Sequence, residues 1–363
     1  MRSVYVHIPF CEQRCTYCHF LTFARKDIDR ARYFENICKE INLYATGEKI
    51  ETVFFGGGTP GFVEPEYIKK VLMSIRKSFE LVDTIEITLE ANPESVTKEK
   101  LLAWKDMGIN RLSLGLQAVQ DKHLKQLGRM SGYEKAQEVV SMARNVGLNN
   151  INIDLMFALP NQTLSEWVES LDKTIALSPT HISTYSLEFH QGTILEGLRR
   201  KKVIKVADEE SDRLMMRTAE RKMGEAGFGQ YEISNFAHKG FECKHNLNFW
   251  QNGEYYGFGL GADGFLNQAT YHNVETFEGY DNLLSDGVKP VKDSYRLSNE
   301  DLQRDYLILG LRLNRGVPLD SFSNHVKPLG ELLEKGLVEK IDKRVRLTEK
   351  GRDLENLVME TLV

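Results

Sequence analysis

Cysteine is scarce in this chain of 363 residues: there are five, too few for the disulfide framework of a small secreted protein. Apolar runs are short, and none approaches the ~18 residues of a membrane-spanning helix. The N-terminal sequence MRSVYVHIPFC has no long apolar region followed by a cleavage site, so no signal peptide is expected. These absences predict a cytoplasmic protein.

An excess of basic charge is also missing. The 47 lysine and arginine residues are outnumbered by 52 aspartate and glutamate residues, which gives a net charge of −5. Proteins that bind polyanions are usually basic, so nucleic acid is not expected as a partner. With 41% hydrophobic residues and 28 glycines, the chain still has the composition of a globular protein with a large core.

Six short runs rich in β-forming residues recur in the first half of the chain. They are residues 4–8, 52–55, 84–90, 111–114, 150–156 and 181–187. The segments between them have helical periodicity or composition, with Thr97 as the expected N-cap of one helix, and this alternation predicts parallel βα units. Six units are fewer than the eight of a closed (β/α)8 barrel. The pattern predicts an α/β fold, either an incomplete barrel or an open doubly wound sheet.

The composition changes twice further along the chain, which predicts three parts. Residues 1–226 hold the βα units. Residues 227–290 are rich in glycine, aromatic residues and asparagine, and we expect an irregular extension there. Residues 291–363 contain helical patterns, a short hairpin at 337–347 and a helical segment capped by Thr348, an order that resembles a winged helix. Because charges of both signs alternate in this hairpin, we expect a structural or substrate-gating role rather than DNA binding.

Three of the five cysteines lie within eight residues, directly after the first β-rich run. Cys11, Cys15 and Cys18 form a C-x3-C-x2-C sequence. Three thiolates can bind three irons of a [4Fe–4S] cluster and leave the fourth iron open. A zinc site of three cysteines and one histidine, with His7 or His19 as the fourth ligand, is the alternative. The spacing alone does not separate the two.

With Tyr17 before the third cysteine, the loop resembles the C-x3-C-x-aromatic-C motif of the radical S-adenosylmethionine (SAM) superfamily. The resemblance implies a [4Fe–4S] cluster whose open iron is chelated by SAM, reductive cleavage of SAM, and a partial (β/α)6 barrel. A second motif, Gly56-Gly57-Gly58-Thr59-Pro60, resembles the glycine-rich segment that receives the SAM amino group in that family. Consecutive glycines let a backbone approach a ligand closely.

Further collinear motifs resemble one subfamily, which contains oxygen-independent coproporphyrinogen III oxidase and its haem-chaperone paralogue. The motifs include Tyr5-Val-His-Ile-Pro-Phe-Cys11, Glu90-Ala-Asn-Pro93, Ser113-Leu-Gly-Leu-Gln117 and Leu127-Gly-Arg129. Carried over position by position, this resemblance implies a set of residues that contact SAM. They are Tyr5, Tyr17, Gly57, Gly58, Thr59, Glu90, Gln117, Arg129 and Asp154.

Three features separate the two members of the subfamily. The oxidase has a fourth cysteine where this chain has Phe20, and a long segment before the cluster loop where this chain has ten residues before Cys11. His245-Asn-Leu-Asn-Phe249-Trp250 resembles the haem-binding motif of the chaperone, in which His245 would contact haem with Phe249 and Trp250 beside it. Imidazole is a common axial ligand of haem iron.

The sequence therefore predicts a haem-binding chaperone that carries a [4Fe–4S] cluster and a SAM site. Its expected partners are haem and an acceptor haem protein such as a respiratory cytochrome, with transient membrane association where the acceptor lies. The alternative is a radical SAM oxidase that decarboxylates coproporphyrinogen III or a related tetrapyrrole.

Overall fold

The computed structural model describes residues 2–24 and 28–362. The strands are β1 (Arg2–Ile8), β2 (Lys49–Gly57), β3 (Glu80–Ala91), β4 (Arg111–Gln117), β5 (Asn150–Phe157), β6 (His181–Ser186), β7 (Gly229–Glu232), β8 (Asn235–Ala237), β9 (Glu254–Phe258), β10 (Asp263–Leu266), β11 (Ala269–Asn273), β12 (Val291–Arg296), β13 (Val317–Pro318), β14 (Val338–Ile341) and β15 (Arg344–Leu347).

The helices follow the same order along the chain. They are α1 (Arg30–Leu43), α2 (Pro65–Ser78), α3 (Lys98–Asp106), α4 (Asp121–Leu127), α5 (Tyr133–Asn145), α6 (Leu164–Ala176), α7 (Ile194–Arg200), α8 (Glu209–Glu225), α9 (Lys244–Trp250), α10 (Phe277–Ser285), α11 (Asn299–Leu311), α12 (Val326–Glu334), α13 (Glu349–Asp353) and α14 (Glu355–Leu362). The predicted cap is confirmed, because the Thr97 side chain accepts a hydrogen bond from the backbone N–H of Lys100. None of the described helices is long and apolar enough to cross a bilayer.

One large sheet organises the molecule. Its twelve strands have the order β12-β11-β10-β9-β1-β2-β3-β4-β5-β6-β8-β7. Strands β1 to β6 are parallel neighbours and coincide with the six β-rich runs of the sequence. The described edge strands β12 and β7 do not pair with each other, so the sheet is open. This is the partial (β/α)6 barrel, extended by antiparallel strands on both sides.

The parallel strands have two different faces. Val4, Val6 and Ile8 of β1 are fully buried in the hydrophobic core that the strands share with the surrounding helices. Side chains alternate along a strand, so the residues between them face the inside of the barrel. These inward residues are mostly polar on β2 to β6 as well, for example Thr52 on β2 and Ser113 on β4. The interior is therefore a polar surface on which a site can be built.

The expectation of an irregular segment at residues 227–290 is wrong. It contains strands β7 to β11, and β9 pairs with β1 in parallel. The glycines that suggested a loop instead allow close packing: a Cβ on Gly257 would lie 1.8 Å from the carbonyl oxygen of Asp263. Glycine within a strand marks such close approaches. The domain boundaries at residues 226 and 290 stay a prediction.

The C-terminal part has its own small core and sheet. Strands β13, β15 and β14 form a three-stranded antiparallel sheet. Leu307 of α11, Leu332 of α12 and Val358 of α14 meet in a separate hydrophobic cluster. The capped segment after Thr348 divides into α13 and α14 at Leu354, which packs on this cluster. The helices and the β14–β15 hairpin have the order expected for a winged-helix-like unit.

Candidate functional site

A cavity of about 470 Å³ opens at the carboxyl ends of the parallel strands, a size typical of ligand pockets. It brings together most of the predicted cluster and SAM residues, although they come from six different parts of the chain. They are Cys11, Cys15, Tyr17, Cys18, Gly57, Gly58, Thr59, Glu90, Gln117, Arg129 and Asp154. Tyr5 lies behind this wall, where its hydroxyl is 3.0 Å from Nδ1 of His7.

The cluster loop after β1 is held by backbone hydrogen bonds to distant segments. The N–H of Cys11 donates to the carbonyl of Phe23 across the base of the loop, at 3.2 Å. Thr16 donates to the end of α4, with its N–H to the Leu127 carbonyl at 3.0 Å and its hydroxyl to the Gln126 carbonyl at 2.8 Å. The cysteines therefore sit on a loop whose position is fixed by the barrel.

Each of the three thiols has a polar neighbour in the cavity wall. The Thr59 hydroxyl donates to the Cys11 sulfur at 3.5 Å, and Arg129 Nη1 donates to the Cys15 sulfur at 3.7 Å. The Cys18 sulfur is 3.9 Å from the Thr22 hydroxyl. Burial raises the pKa of the Cys11 thiol to about 11. Hydrogen-bond donors directed at sulfur stabilise thiolates, so this donor set fits an iron–sulfur cluster.

His7 and His19, the candidate fourth ligands of a zinc site, are both engaged in other contacts. Both ring nitrogens of His7 are engaged, because Nε2 donates to the Leu21 carbonyl at 2.9 Å and Nδ1 accepts from the Tyr5 hydroxyl. The His19 ring stacks on His190, with centroids 3.7 Å apart. Within residues 2–24 and 28–362, no three metal-binding side chains converge as one metal ion requires. A [4Fe–4S] cluster makes a different demand, because each thiolate binds a different iron.

The glycine motif lies where a side chain would collide with the site. Gly57 has a φ of +107°, and a Cβ there would lie 2.5 Å from the His7 ring. A Cβ on Gly58 would lie 2.8 Å from the Phe10 carbonyl oxygen. These contacts let the backbone after β2 run tightly beside the cluster loop, where the Gly58 N–H donates to the Ile8 carbonyl at 2.8 Å. At Gly57 and Gly58 the backbone itself, without a side chain, therefore faces the cavity.

Two partly buried carboxyl groups, Glu90 and Asp154, face the middle of the cavity. Burial, together with the nearby charge of Asp154, raises the pKa of Glu90 to about 8. Burial also raises the pKa of Asp154, although its carboxylate accepts a hydrogen bond from Asn152 Nδ2 at 2.7 Å. Such groups can accept from hydroxyl or ammonium groups of a ligand, and binding a cation would favour their ionised forms.

Arg129 is the centre of a network that the sequence analysis identified only in part. Its Nη2 donates to the Asn92 side-chain oxygen at 2.9 Å and to the Gly115 carbonyl. Asn92 Nδ2 in turn donates to the Thr59 hydroxyl at 3.2 Å. Asn92 was not among the predicted contacts, although it lies in the quoted motif Glu90-Ala-Asn-Pro93. The network fixes Arg129 between the cluster loop and the end of β4.

Gln117 ends β4 in a left-handed backbone conformation, with a φ of +72°. Non-glycine residues adopt this conformation at a cost and mostly where the surrounding structure enforces it. Here the bend brings the Gln117 side chain back over Gly115, where a Cβ would lie 3.0 Å from Gln117 Nε2. The amide therefore lines the cavity beside Arg129.

The residues predicted to bind haem lie on α9, outside the cavity wall. The His245 ring is 5.0 Å from the Phe54 ring, and its Nδ1 is 2.8 Å from the Thr52 hydroxyl. Phe249 is partly exposed, and the Arg312 guanidinium lies 4.5 Å from the centroid of Trp250. The cavity nevertheless reaches this helix, because Phe54 and Asn246 belong to its lining. His245 is thus adjacent to the inner end of the cavity.

Comparisons with known proteins agree with this geometry. Residues 5–174 match the radical SAM superfamily, and residues 297–354 match the HemN C-terminal domain. A Bacillus subtilis protein named heme chaperone HemW is 35% identical over 99% of this chain and 98% of its own length. An Escherichia coli protein of the same name is 35% identical over 72% of this chain and 69% of its own length.

A solved structure confirms the fold. It is the coproporphyrinogen III oxidase HemN from Escherichia coli, described as a radical SAM enzyme. It superposes with a TM-score of 0.86 at 22% identity and covers 99% of this chain and 89% of that one. The similarity of fold and the full-length sequence identity lead to one assignment: the chain belongs to the radical SAM superfamily and, within it, to the HemW family.

Proposed function

We propose that this protein is a haem chaperone, which binds haem and delivers it to an acceptor haem protein such as a respiratory cytochrome. The observation that carries the proposal is the similarity to proteins named heme chaperone HemW along nearly the whole chain. The cytoplasm is the proposed location, and transient membrane association would follow where the acceptor lies in a membrane.

Cys11, Cys15 and Cys18 would hold a [4Fe–4S] cluster, and Glu90, Arg129 and Asp154 would contact SAM. Membership of the radical SAM superfamily implies both cofactors. When bound, and with one electron from an external reductant, the cluster would supply the reductive cleavage of SAM. Tyr5, Tyr17, Gln117 and the segment Gly57-Gly58-Thr59 complete the proposed SAM site, which the cavity wall supports for all of these residues except Tyr5.

Phe20 argues for haem delivery rather than oxidation of a porphyrinogen. It occupies the position at which the oxidase has a fourth cysteine, and its side chain is 55% exposed at the mouth of the cavity. Its ring lies 4.6 Å from that of His19. A phenyl ring offers an apolar surface to a flat macrocycle but no thiol for chemistry.

The hydrogen bonds of His245 support its role as a haem ligand. The Thr52 hydroxyl donates its proton to Ser3 Oγ at 2.8 Å, so it accepts from His245 Nδ1–H. The lone pair is then on Nε2, which would be the nitrogen that binds iron. Burial lowers the pKa of the His245 imidazole to about 3, which keeps it in the neutral form that binds metals.

The test uses full-length protein reconstituted anaerobically with iron and sulfide. It is incubated with SAM, a reductant and coproporphyrinogen III and assayed for protoporphyrinogen; in parallel it is loaded with haem and mixed with an apocytochrome. We expect haem binding and transfer without protoporphyrinogen. Formation of protoporphyrinogen, or rescue of a strain that lacks the oxidase, would instead assign the protein to coproporphyrinogen oxidation.

A further inference from the structure

Arg111 is a buried arginine to whose guanidinium the described residues offer no hydrogen bond or ion pair. It is the first residue of β4, lines the inner end of the cavity and is 2% exposed. Among the described residues, no hydrogen bond or ion pair engages its guanidinium, and its Nε is sealed from solvent without an acceptor. A guanidinium carries five N–H donors, and leaving a buried charge unpaired is strongly unfavourable. The Arg111 guanidinium therefore has N–H donors that an anionic ligand could satisfy.

The acidic side chains near Arg111 already have other partners. Glu86 accepts from the backbone N–H groups of Lys244 and His245 at the start of α9, at 3.2 and 3.3 Å. Asp154 accepts from the side chains of Asn152 and Ser113. Neither carboxylate lies within 4.0 Å of the guanidinium, the limit for an ion pair, so both act on its charge from a distance and leave its N–H donors free.

The backbone of Arg111 lies far from Arg129 along β4, although its charge still acts on Glu90 and Asp154 in the middle of the cavity. Gly115, whose carbonyl accepts from Arg129, lies four residues further along β4. At about 3.3 Å per residue, this places Arg111 roughly 13 Å further from the cluster loop. Arg129 and Arg111 therefore mark opposite ends of the cavity. The inner end is shared with Phe54 and Asn246, beside His245.

We propose that Arg111 binds a carboxylate of the molecule that fills the inner end of the cavity. Resting on the proposed function, this carboxylate is a propionate of haem. A guanidinium and a carboxylate form paired, charge-assisted hydrogen bonds, which would satisfy the donors that the protein leaves free. The other available carboxylate is that of SAM, which the resemblance places near Arg129 at the opposite end.

The test compares haem with haem dimethyl ester, in which both propionates are blocked. Reconstituted full-length protein is titrated with each compound in the same detergent buffer and followed by absorbance. The variants are Arg111→Met, which keeps the length of the side chain without its charge, and Arg111→Lys, which keeps the charge without the paired donors. Arg296→Met, at an exposed position of β12, is the charge-matched control.

Wild-type protein and Arg296→Met should prefer haem over the ester by about tenfold or more, as expected for charged hydrogen bonds. Arg111→Met should lose most of this preference, and Arg111→Lys should keep part of it. An undiminished preference in Arg111→Met would overturn the inference while leaving haem binding, and hence the proposed function, intact. Wild-type protein that binds neither compound would refute the proposed function and the inference together.

Two further measurements distinguish a ligand-binding role of Arg111 from a structural one, and binding of haem from binding of SAM. Because Arg111→Met removes no hydrogen bond or ion pair, the ligand-free variant should have a melting temperature close to that of wild type. A clear fall in its melting temperature would show that the guanidinium has a structural partner and would overturn the inference. SAM affinity, measured by calorimetry, should change less in Arg111→Met than the preference for haem does, because Arg111 acts on Glu90 and Asp154 only from a distance. A large loss of SAM affinity with an unchanged preference for haem would assign Arg111 to the SAM carboxylate instead.

Discussion

Arg129 places a guanidinium nitrogen 3.7 Å from the sulfur of Cys15, and so joins the cluster loop to the barrel wall. The same side chain donates to Asn92 and to the Gly115 carbonyl. One positive charge thereby acts on a proposed cluster ligand and faces the proposed SAM site.

Replacing Arg129 should affect SAM more than iron. We expect Arg129→Met to weaken SAM binding by about tenfold or more, because a charge-assisted contact is lost. Iron content should be retained, since the three thiols remain. Arg129→Lys, which keeps the charge but not the fixed fork of donors, should be intermediate. Calorimetry with SAM and an iron assay on the same samples check this, and equal SAM affinity in all three proteins would contradict it.

Gly57→Ala should destabilise the protein and impair SAM binding. The new Cβ would lie 2.5 Å from the His7 ring, which is held by Tyr5 and Leu21. Gly47→Ala is the matched control, because Gly47 also has a positive φ, +70°, but no atom within 4 Å of the added Cβ. The control should lose about 1–2 kcal/mol of unfolding free energy from the backbone alone. Gly57→Ala should lose more, and similar losses in denaturant unfolding would show that the contact with His7 is unimportant.

Glu90 should make the ligand-free protein less stable as the pH rises. Its folded pKa of about 8 exceeds the ordinary value of 4.5, so the folded state holds a proton that the unfolded state releases between these values. Stability is therefore lost as pH increases from about 4.5 to about 8. Glu90→Gln should remove this loss and be more stable than wild type at pH 8, by a few kcal/mol at most, because one pKa unit corresponds to about 1.4 kcal/mol.

Melting temperatures at pH 5, 6.5 and 8 measure this difference. Glu334→Gln, at an exposed position of α12, controls for the loss of one carboxylate. A gap between Glu90→Gln and wild type that stays constant with pH would contradict a raised pKa. Glu90→Gln should also bind SAM more weakly, although it is the more stable protein.

His245→Ala should weaken haem retention and transfer to an apocytochrome while the iron–sulfur content is unchanged, because the cluster ligands lie on another loop. Thr52→Val tests the orientation of the ring, since it removes the acceptor for His245 Nδ1–H but keeps the imidazole. Loss of such an outer contact should cost about 10- to 100-fold in affinity. Haem titrations at equal iron–sulfur content check both variants. Identical affinities and haem spectra in wild type and His245→Ala would mean that His245 is no ligand.

The sequence by itself determined the order of the six βα units and the presence of three thiols on one loop, although their spacing left a zinc site and an iron–sulfur cluster both open. These are local properties: the β-rich runs, the capping threonines Thr97 and Thr348, and the spacing of Cys11, Cys15 and Cys18. The resemblance of collinear motifs then implied nine SAM residues, of which all but Tyr5 line one cavity, because the carboxyl ends of parallel strands meet at one edge of a sheet.

Only the tertiary structure decided which distant residues meet. Strand β9 pairs with β1, and Arg2 lies opposite Glu254. No local sequence pattern predicts this pairing, because the two strands are some 250 residues apart. The same long-range packing covers His245, gives Arg129 its partner Asn92 and leaves the buried Nε of Arg111 without an acceptor among the described residues. A polar residue looks the same in the sequence whether or not its hydrogen bonds are satisfied. Whether its hydrogen bonds are satisfied depends on residues from distant parts of the chain, which become neighbours only in the folded protein.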